Sequence, residues 1–161
     1  MNKDLDQYLS QVVAVKFNDI FSHYGFNLSA SLDLEKHLVV SFNRDRDYII
    51  FYVSRHHLDP PEIDVLLSRI RRLWFANHTV TLRRLRESKL KNKSNVEGYS
   101  LLGIKSHSDI DAITNWIASD LSTYAAGFLN KDYSDFNCEY FRSGARYKNY
   151  YRYIWHLLKS K

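Results

Sequence analysis

The chain has 161 residues, of which 45% are hydrophobic and 25% charged, with five glycines and two prolines. These are the proportions of one globular domain, and they exclude a low-complexity or linker-rich chain. Its net charge is +5, from 23 basic and 18 acidic residues, and its single cysteine, Cys138, excludes an internal disulfide framework.

A chain of this length buries roughly 70% of the surface its unfolded form exposes, so it needs no covalent staple. The opening MNKDLDQYLSQVV has aspartates where a secretion signal needs a basic region and an apolar run. No stretch approaches the ~18 consecutive apolar residues of a membrane span. These features point to the cytoplasm and to no membrane partner. Without a secretion signal, the glycosylation patterns at Asn27, Asn77 and Asn92 are read as chance.

In chain order, Leu5, Leu9, Val12, Val13, Ile20, Phe21 and Tyr24 recur at helical spacing, and Gly25 offers a left-handed stop. This predicts a helix over 3–24. Three strand-like runs follow, Asn27–Asp33, His37–Asn43 and Tyr48–Ser54. The third is β-branched and aromatic throughout, which suits a central strand covered on both faces. Arg44-Asp45-Arg46-Asp47 reads as a polar hairpin tip. Asp59-Pro60-Pro61-Glu62 reads as a helix start, with Ile63, Leu66, Leu67, Ile70 and Trp74 on one face and an end near Asn77. Thr79–Leu82 has strand composition, continued through Arg86. Lys89–Asn95 is a basic loop, and Tyr99–Ile104 a partner strand. Ser106 or Ser108 caps a helix with the stripe Ile110, Ile113, Ile117, Leu121, Tyr124 and Phe128. Residues 136–161 form a C-terminal aromatic and basic helical extension. Tyr147, Tyr150, Tyr151, Ile154, Trp155 and Leu158 line one of its faces.

The expected order is α-β-β-β-α-β-β-α with one or two extra C-terminal helices. It predicts a single α+β domain over 1–161, built on an antiparallel sheet of about five strands.

No catalytic motif is complete. An αβββαβ order also suits restriction-type nucleases, whose strands carry an acid and a D/E-x-K for Mg²⁺. Tyr48–Ser54 has no Asp, Glu or Lys, and Glu87-Ser88-Lys89 falls in the wrong element. Among seven histidines only Arg55-His56-His57-Leu58-Asp59 clusters, and it supplies fewer ligands than a metal site needs. Cys138 has no local base, and the five glycines are too scattered for a phosphate loop. No cofactor, metal or catalytic residue is read from the sequence, and the chain leans towards a non-enzyme.

The charge is concentrated. Residues 69–93 hold nine cations against the single acid Glu87, a sum of +8, which leaves −3 for the rest of the chain. Such polarity predicts a face that meets something acidic. On a strand, Arg84 and Arg86 share a face, and Lys89, Lys91 and Lys93 extend it. Arg83, Arg146, Tyr147, Lys148 and Arg152 are secondary candidates. Three uses of the strip stay open. It suits an acidic protein surface, through Arg–carboxylate pairs. It suits nucleic acid, with phosphates on the cations and bases stacked on the C-terminal tyrosines. It also suits a solvated edge strand that is protected by its charges.

The run Phe21-Ser22-His23-Tyr24-Gly25-Phe26, followed by meandering strands and a helix, resembles small bacterial immunity proteins of toxin–immunity systems. The element order is also similar to that of type III secretion chaperones. Both resemblances cover roughly residues 3–128 and rest on element order, so no site residue transfers. Both families are non-enzymatic protein binders and often acidic, whereas this chain has a pI near 9.2. The function these readings imply is a bacterial or phage protein-binding domain that docks an acidic toxin or effector, with nucleic-acid binding through 83–93 and the tail as the alternative.

Overall fold

The computed structural model describes residues 3–34, 37–54, 61–69, 78–90 and 97–134. Helix α1 (Lys3–Ser22) is followed by strands β1 (Asn27–Leu34), β2 (His37–Arg44), β3 (Asp47–Ser54), β4 (Glu62–Arg69) and β5 (His78–Thr81). Then come α2 (Leu82–Lys89), β6 (Tyr99–Ser100), α3 (His107–Tyr124) and α4 (Ala126–Leu129).

Helix α1 buries Leu5, Leu9, Val13, Phe17 and Phe21, a row spaced by four residues that stays on one side of a helix. Asp4 and Asp6 sit in its first turn, where carboxylates favour the helix dipole. Gly25 stops it. The Gly25 φ is +79°, and two bonds close the end, Phe26 N–H to the Phe21 carbonyl at 3.1 Å and Gly25 N–H to the Ser22 carbonyl at 3.0 Å. This pair is the Schellman arrangement, which satisfies carbonyls the helix leaves open.

The sheet is antiparallel throughout, in the order β1-β2-β3-β4-β5, and β6 also pairs with β4. β5 takes one half of β4's outer edge, from Leu66 to Arg69, and β6 takes the other, at Glu62 and Ile63. One sheet face carries Leu38, Val40, Phe42, Ile49, Phe51, Val53, Ile63, Val65 and Leu67 into the main core with the helices. Phe17 meets Phe51 at 4.5 Å, and Phe21 meets Phe42 edge-on at 5.0 Å. Such pairs contribute about 0.5–1.5 kcal/mol beyond area burial. The other face gathers Leu32, Val39, Ile50, Tyr52 and Leu66 into a second buried cluster. β3 is central and buried on both faces, as its composition predicts.

The α+β class and the antiparallel sheet agree with the sequence reading, but one element changes type. Residues 62–69 form β4, not the first half of a helix over 59–77. Ile63, Val65 and Leu67 enter the main core while Leu66 enters the second cluster. A strand buried on both faces shows a near-continuous apolar run, which helical spacing also fits. Residues 70–77 lie outside the described residues. The expected strand Tyr99–Ile104 shortens to Tyr99–Ser100 and a turn at Gly103, whose φ is +83°. The 136–161 extension and Cys138 also fall outside the described residues.

The hairpin between β2 and β3 is polar at its tip but buried at its base. Asp45 takes φ +54°, while Arg44 and Asp47 are 7% and 3% exposed. Arg44 Nη1 donates to the carbonyls of Tyr24 (2.8 Å) and Leu129 (2.6 Å), and Nη2 to that of Phe128 and to Asp47, both at 3.0 Å. Asp47 also accepts from Arg69 at 3.2 Å and Tyr133 at 2.7 Å. This guanidinium meets the C-terminal ends of α1 and α4, where helix carbonyls need donors.

Candidate protein-docking surface

The basic run does not form a strand-borne strip. Thr81 ends β5 and caps α2, its hydroxyl accepting the Arg84 N–H at 3.2 Å. The chain is therefore helical from Leu82, which corrects the strand reading through Arg86. On a helix each residue turns by roughly 100°. Leu82, Leu85 and Arg86 share the buried side, and Arg84, two positions before Arg86, falls away from it. Arg84 and Arg86 do not share a face.

Arg86 is 6% exposed. Its Nη1 donates to Asp120 Oδ2 at 2.6 Å, and its Nη2 donates to the Glu97 carbonyl. The Tyr99 hydroxyl donates to the same Asp120 oxygen at 2.7 Å. Burial first, and then this hydrogen bond to the Asp120 carboxylate, push the Tyr99 phenol above its ordinary range, so it remains a neutral donor. Trp116 closes the group. The Arg86 guanidinium lies 4.9 Å from its ring centroid, and Tyr99 meets it edge-on at 5.1 Å. Trp116 is still 36% exposed, so one side of the indole is held and another is open to solvent.

Of the remaining α2 cations, Arg83 and Arg84 turn away from the buried side, whereas Lys89, four residues after Leu85, follows that side to the exposed end of the helix. Arg83, its side chain 44% exposed, pairs with Glu87 at 3.2 Å and Glu62 at 3.8 Å. Arg84 is half-buried and Lys89 exposed. Lys89 Nζ donates to the Tyr124 carbonyl at 3.0 Å, so α2 runs along α3 from Trp116 towards Tyr124. Leu90 follows, 38% exposed. The seam thus combines a fixed aromatic, an exposed aliphatic and three cations against the single α2 acid Glu87. Of the expected strip, the structure leaves Arg84 half-buried and Lys89 exposed, on different sides of α2, and removes Arg86 into the interior. Lys91, Lys93, Arg146, Tyr147, Lys148 and Arg152 lie outside the described residues. Trp116, Tyr99 and Asp120 were not among the expected site residues. The spacing of Leu82, Leu85 and Arg86 at i, i+3 and i+4 is the sequence signal that would have turned Arg86 inward.

Several other polar groups hold elements together. Between α1 and α3, the Tyr8 hydroxyl donates to Asp111 at 3.1 Å and its ring stacks on His107 at 3.9 Å. His107 meets Asp4 at 3.0 Å, and Lys16 donates to Asn115 at 2.6 Å. The hydrogen bond to Asp111 raises the Tyr8 phenol, and partial burial lowers the Lys16 ammonium. Glu87-Ser88-Lys89, the one D/E-x-K match weighed, has its ends bound to Arg83 and to the Tyr124 carbonyl. Among the described residues no group of three His, Cys, Asp or Glu could hold a metal ion, and no helix is long and apolar enough to cross a membrane. His56, His57 and Asp59 lie outside the described residues. No family model, curated protein or solved structure matches the chain.

Proposed function

We propose that this chain is a non-enzymatic protein-binding domain of immunity or chaperone type. It acts in the bacterial cytoplasm and docks stoichiometrically on an acidic partner through the outward side of the α2–α3 seam. The observation that supports this best is Trp116, fixed from within by Arg86 and Tyr99 and open outward, beside a helix whose Arg84 is half-exposed and whose Lys89 is exposed. Rigid aromatics near arginines are the composition of interface anchors. Cations around them speed encounter with an acidic surface and reject basic ones.

Nucleic acid is the weaker reading. Binding a phosphate backbone needs a track of several cations, and among the described residues Arg86 is internal while Arg83 already faces two glutamates. The test is binding of the full chain to the product of the adjacent gene and to generic single- and double-stranded nucleic acid, at low and moderate salt. The expected result is a one-to-one protein complex that weakens as salt rises, and no nucleic-acid complex even at low salt. Nucleic-acid binding without a protein complex contradicts the proposal.

A further inference from the structure

The two faces of the sheet are covered differently. All four described helices reach into the main core, through Leu9 of α1, Leu85 of α2, Ile117 of α3 and Phe128 of α4. Among the described residues the second cluster draws on strands alone, with Leu32 from β1, Val39 from β2, Ile50 and Tyr52 from β3, and Leu66 from β4. Val39 and Leu66 are nevertheless fully buried, and Ile50 and Tyr52 are 2% and 3% exposed. Ser41 and Ser68 lie two residues from Val39 and Leu66, on the same face, and are buried as well. A sheet face is buried in this way only under a second layer. That layer comes from residues outside those described.

The cluster is wide. Leu32, Val39, Tyr52 and Asp64 form one cross-strand row over four strands, roughly 14 Å. Of the internal stretches outside the described residues, 35–36 has no apolar side chain, and 55–60 and 91–96 have one branched aliphatic each, Leu58 and Val96. Residues 70–77 have Ile70, Leu73, Trp74 and Phe75, but they leave and return at a single pair, Arg69 and His78. Folded back on itself, an eight-residue loop reaches about 13 Å. Leu32 lies about 14 Å across the sheet from that pair and, in the row of Asp64, about 17 Å along it. Residues 136–161 meet the requirement. On a helix, Tyr147, Tyr150, Tyr151, Ile154, Trp155 and Leu158 share one face, and residues 147–158 span about 18 Å.

The chain also arrives at the right place. The Arg69 guanidinium lies 3.7 Å from the Tyr133 ring centroid, and the Tyr133 hydroxyl donates to Asp47 at 2.7 Å. Asp47 and Arg69 pair at the end of the sheet, and the next residue of β3, Tyr48, packs against the second cluster. From Ser134 the chain has only to turn round that end. We propose that residues 147–158 cross the second sheet face as a helix, with those six apolar and aromatic side chains inward as its second layer. Arg146, Lys148, Arg152 and Lys159 then lie on the other side of that helix, towards solvent. The assignment gives the tyrosines of this segment to the core, so they do not stack on bases. The contact lies on the opposite sheet face from α2 and α3 and does not depend on the docking surface.

The test reads Trp155 in the full chain, as the fluorescence difference between each protein and its Trp155→Phe counterpart. Val39 and Val40 are neighbours on β2, both fully buried, and they enter opposite faces of the sheet. Val39→Ala and Val40→Ala therefore remove the same methyl groups from the two cores. Trp155 of the wild type is expected to emit at shorter wavelength than a solvated indole and to be shielded from acrylamide. Val39→Ala should shift that emission to longer wavelength and lose part of the shielding, while Val40→Ala leaves both unchanged. Solvated-indole emission from Trp155 in the wild type overturns the proposal. So does a response to Val40→Ala as large as that to Val39→Ala, or a response to neither. If Val39→Ala moves Trp74 in place of Trp155, read in the same way with Trp74→Phe, the face belongs to 70–77 and the proposal is also overturned.

Discussion

Arg86 and Asp120 meet at 2.6 Å with side chains 7% and 10% exposed, and this ion pair ties α2 to α3 beneath Trp116. Asp120→Asn leaves the guanidinium buried beside a neutral amide, and breaking a buried pair costs about 3–5 kcal/mol. Replacing both partners by Arg86→Met and Asp120→Leu removes both charges. Arg86 Nε has no hydrogen-bond partner among the described residues, so the native pair is not fully compensated. The double variant is therefore expected to be more stable than Asp120→Asn. Urea unfolding midpoints check this, and a double variant less stable than the single one counts against it.

Gly25→Ala is expected to destabilise by about 1–2 kcal/mol, the cost of a left-handed conformation for a residue with a Cβ. Space is not the cause, because an added Cβ would lie 3.6 Å from the Arg44 side chain, an ordinary contact. Thermal unfolding of the variant measures the penalty. An unchanged midpoint would mean that the end of α1 does not need its Schellman turn.

Ser106 and Asp109 form a capping box at the start of α3. Ser106→Ala is expected to cost about 1 kcal/mol. The Lys105 N–H, then the Ser106 hydroxyl and N–H, hold the Asp109 carboxyl below its ordinary 3.8. A depressed carboxyl adds stability above that value and loses it as pH falls through 3.8 towards the folded value. Asp109→Asn should flatten the acid limb of the stability–pH curve, and a limb of unchanged slope would exclude this role.

The alkaline limb has the opposite sign. The Tyr99 phenol is raised above its ordinary 10.0, so its contribution is complete below about that pH and is lost as pH rises towards the folded value. Tyr99→Phe should cost about 1.5–3 kcal/mol at neutral pH, the worth of a hydrogen bond to a charged group. It should also reduce the fall in stability above pH 10. Tyr8 and Tyr133 are raised too, so some slope remains. Urea unfolding at neutral and alkaline pH, wild type against variant, separates the two effects.

The helices buried on one side were legible from their spacing, and β2 and β3 from their β-branched and aromatic composition. The helical spacing of Leu5, Leu9, Val13 and Phe21, the stop at Gly25 and a serine cap at Ser106 or Ser108 each leave a periodic or chemical mark, and the structure has all three, with Ser106 as the cap. β4 was not legible, because Leu66 and Leu67 are both buried, on opposite faces, and that erases the alternation of a strand. α2 is only eight residues long, too short for its period to outweigh the β-branched Thr79-Val80-Thr81 before it. The site suffered most. Arginine counts as surface by type, and only the partner Asp120, thirty-four residues away, makes burial of Arg86 affordable. Contacts this distant leave no local pattern, so Tyr99 and Trp116 gave no sign of joining it.

The most direct test of the docking surface is titration of the full chain with the product of the adjacent gene, comparing the wild type with Trp116→Ala and with Arg84→Glu/Lys89→Glu. Circular dichroism should show all three folded, since these side chains are not fully buried. Losing an aromatic anchor is expected to cost 2 kcal/mol or more, about thirty-fold in affinity. The charge reversal should weaken binding further at low salt than at moderate salt. A complex of unchanged affinity in both variants would contradict the assignment of the α2–α3 seam.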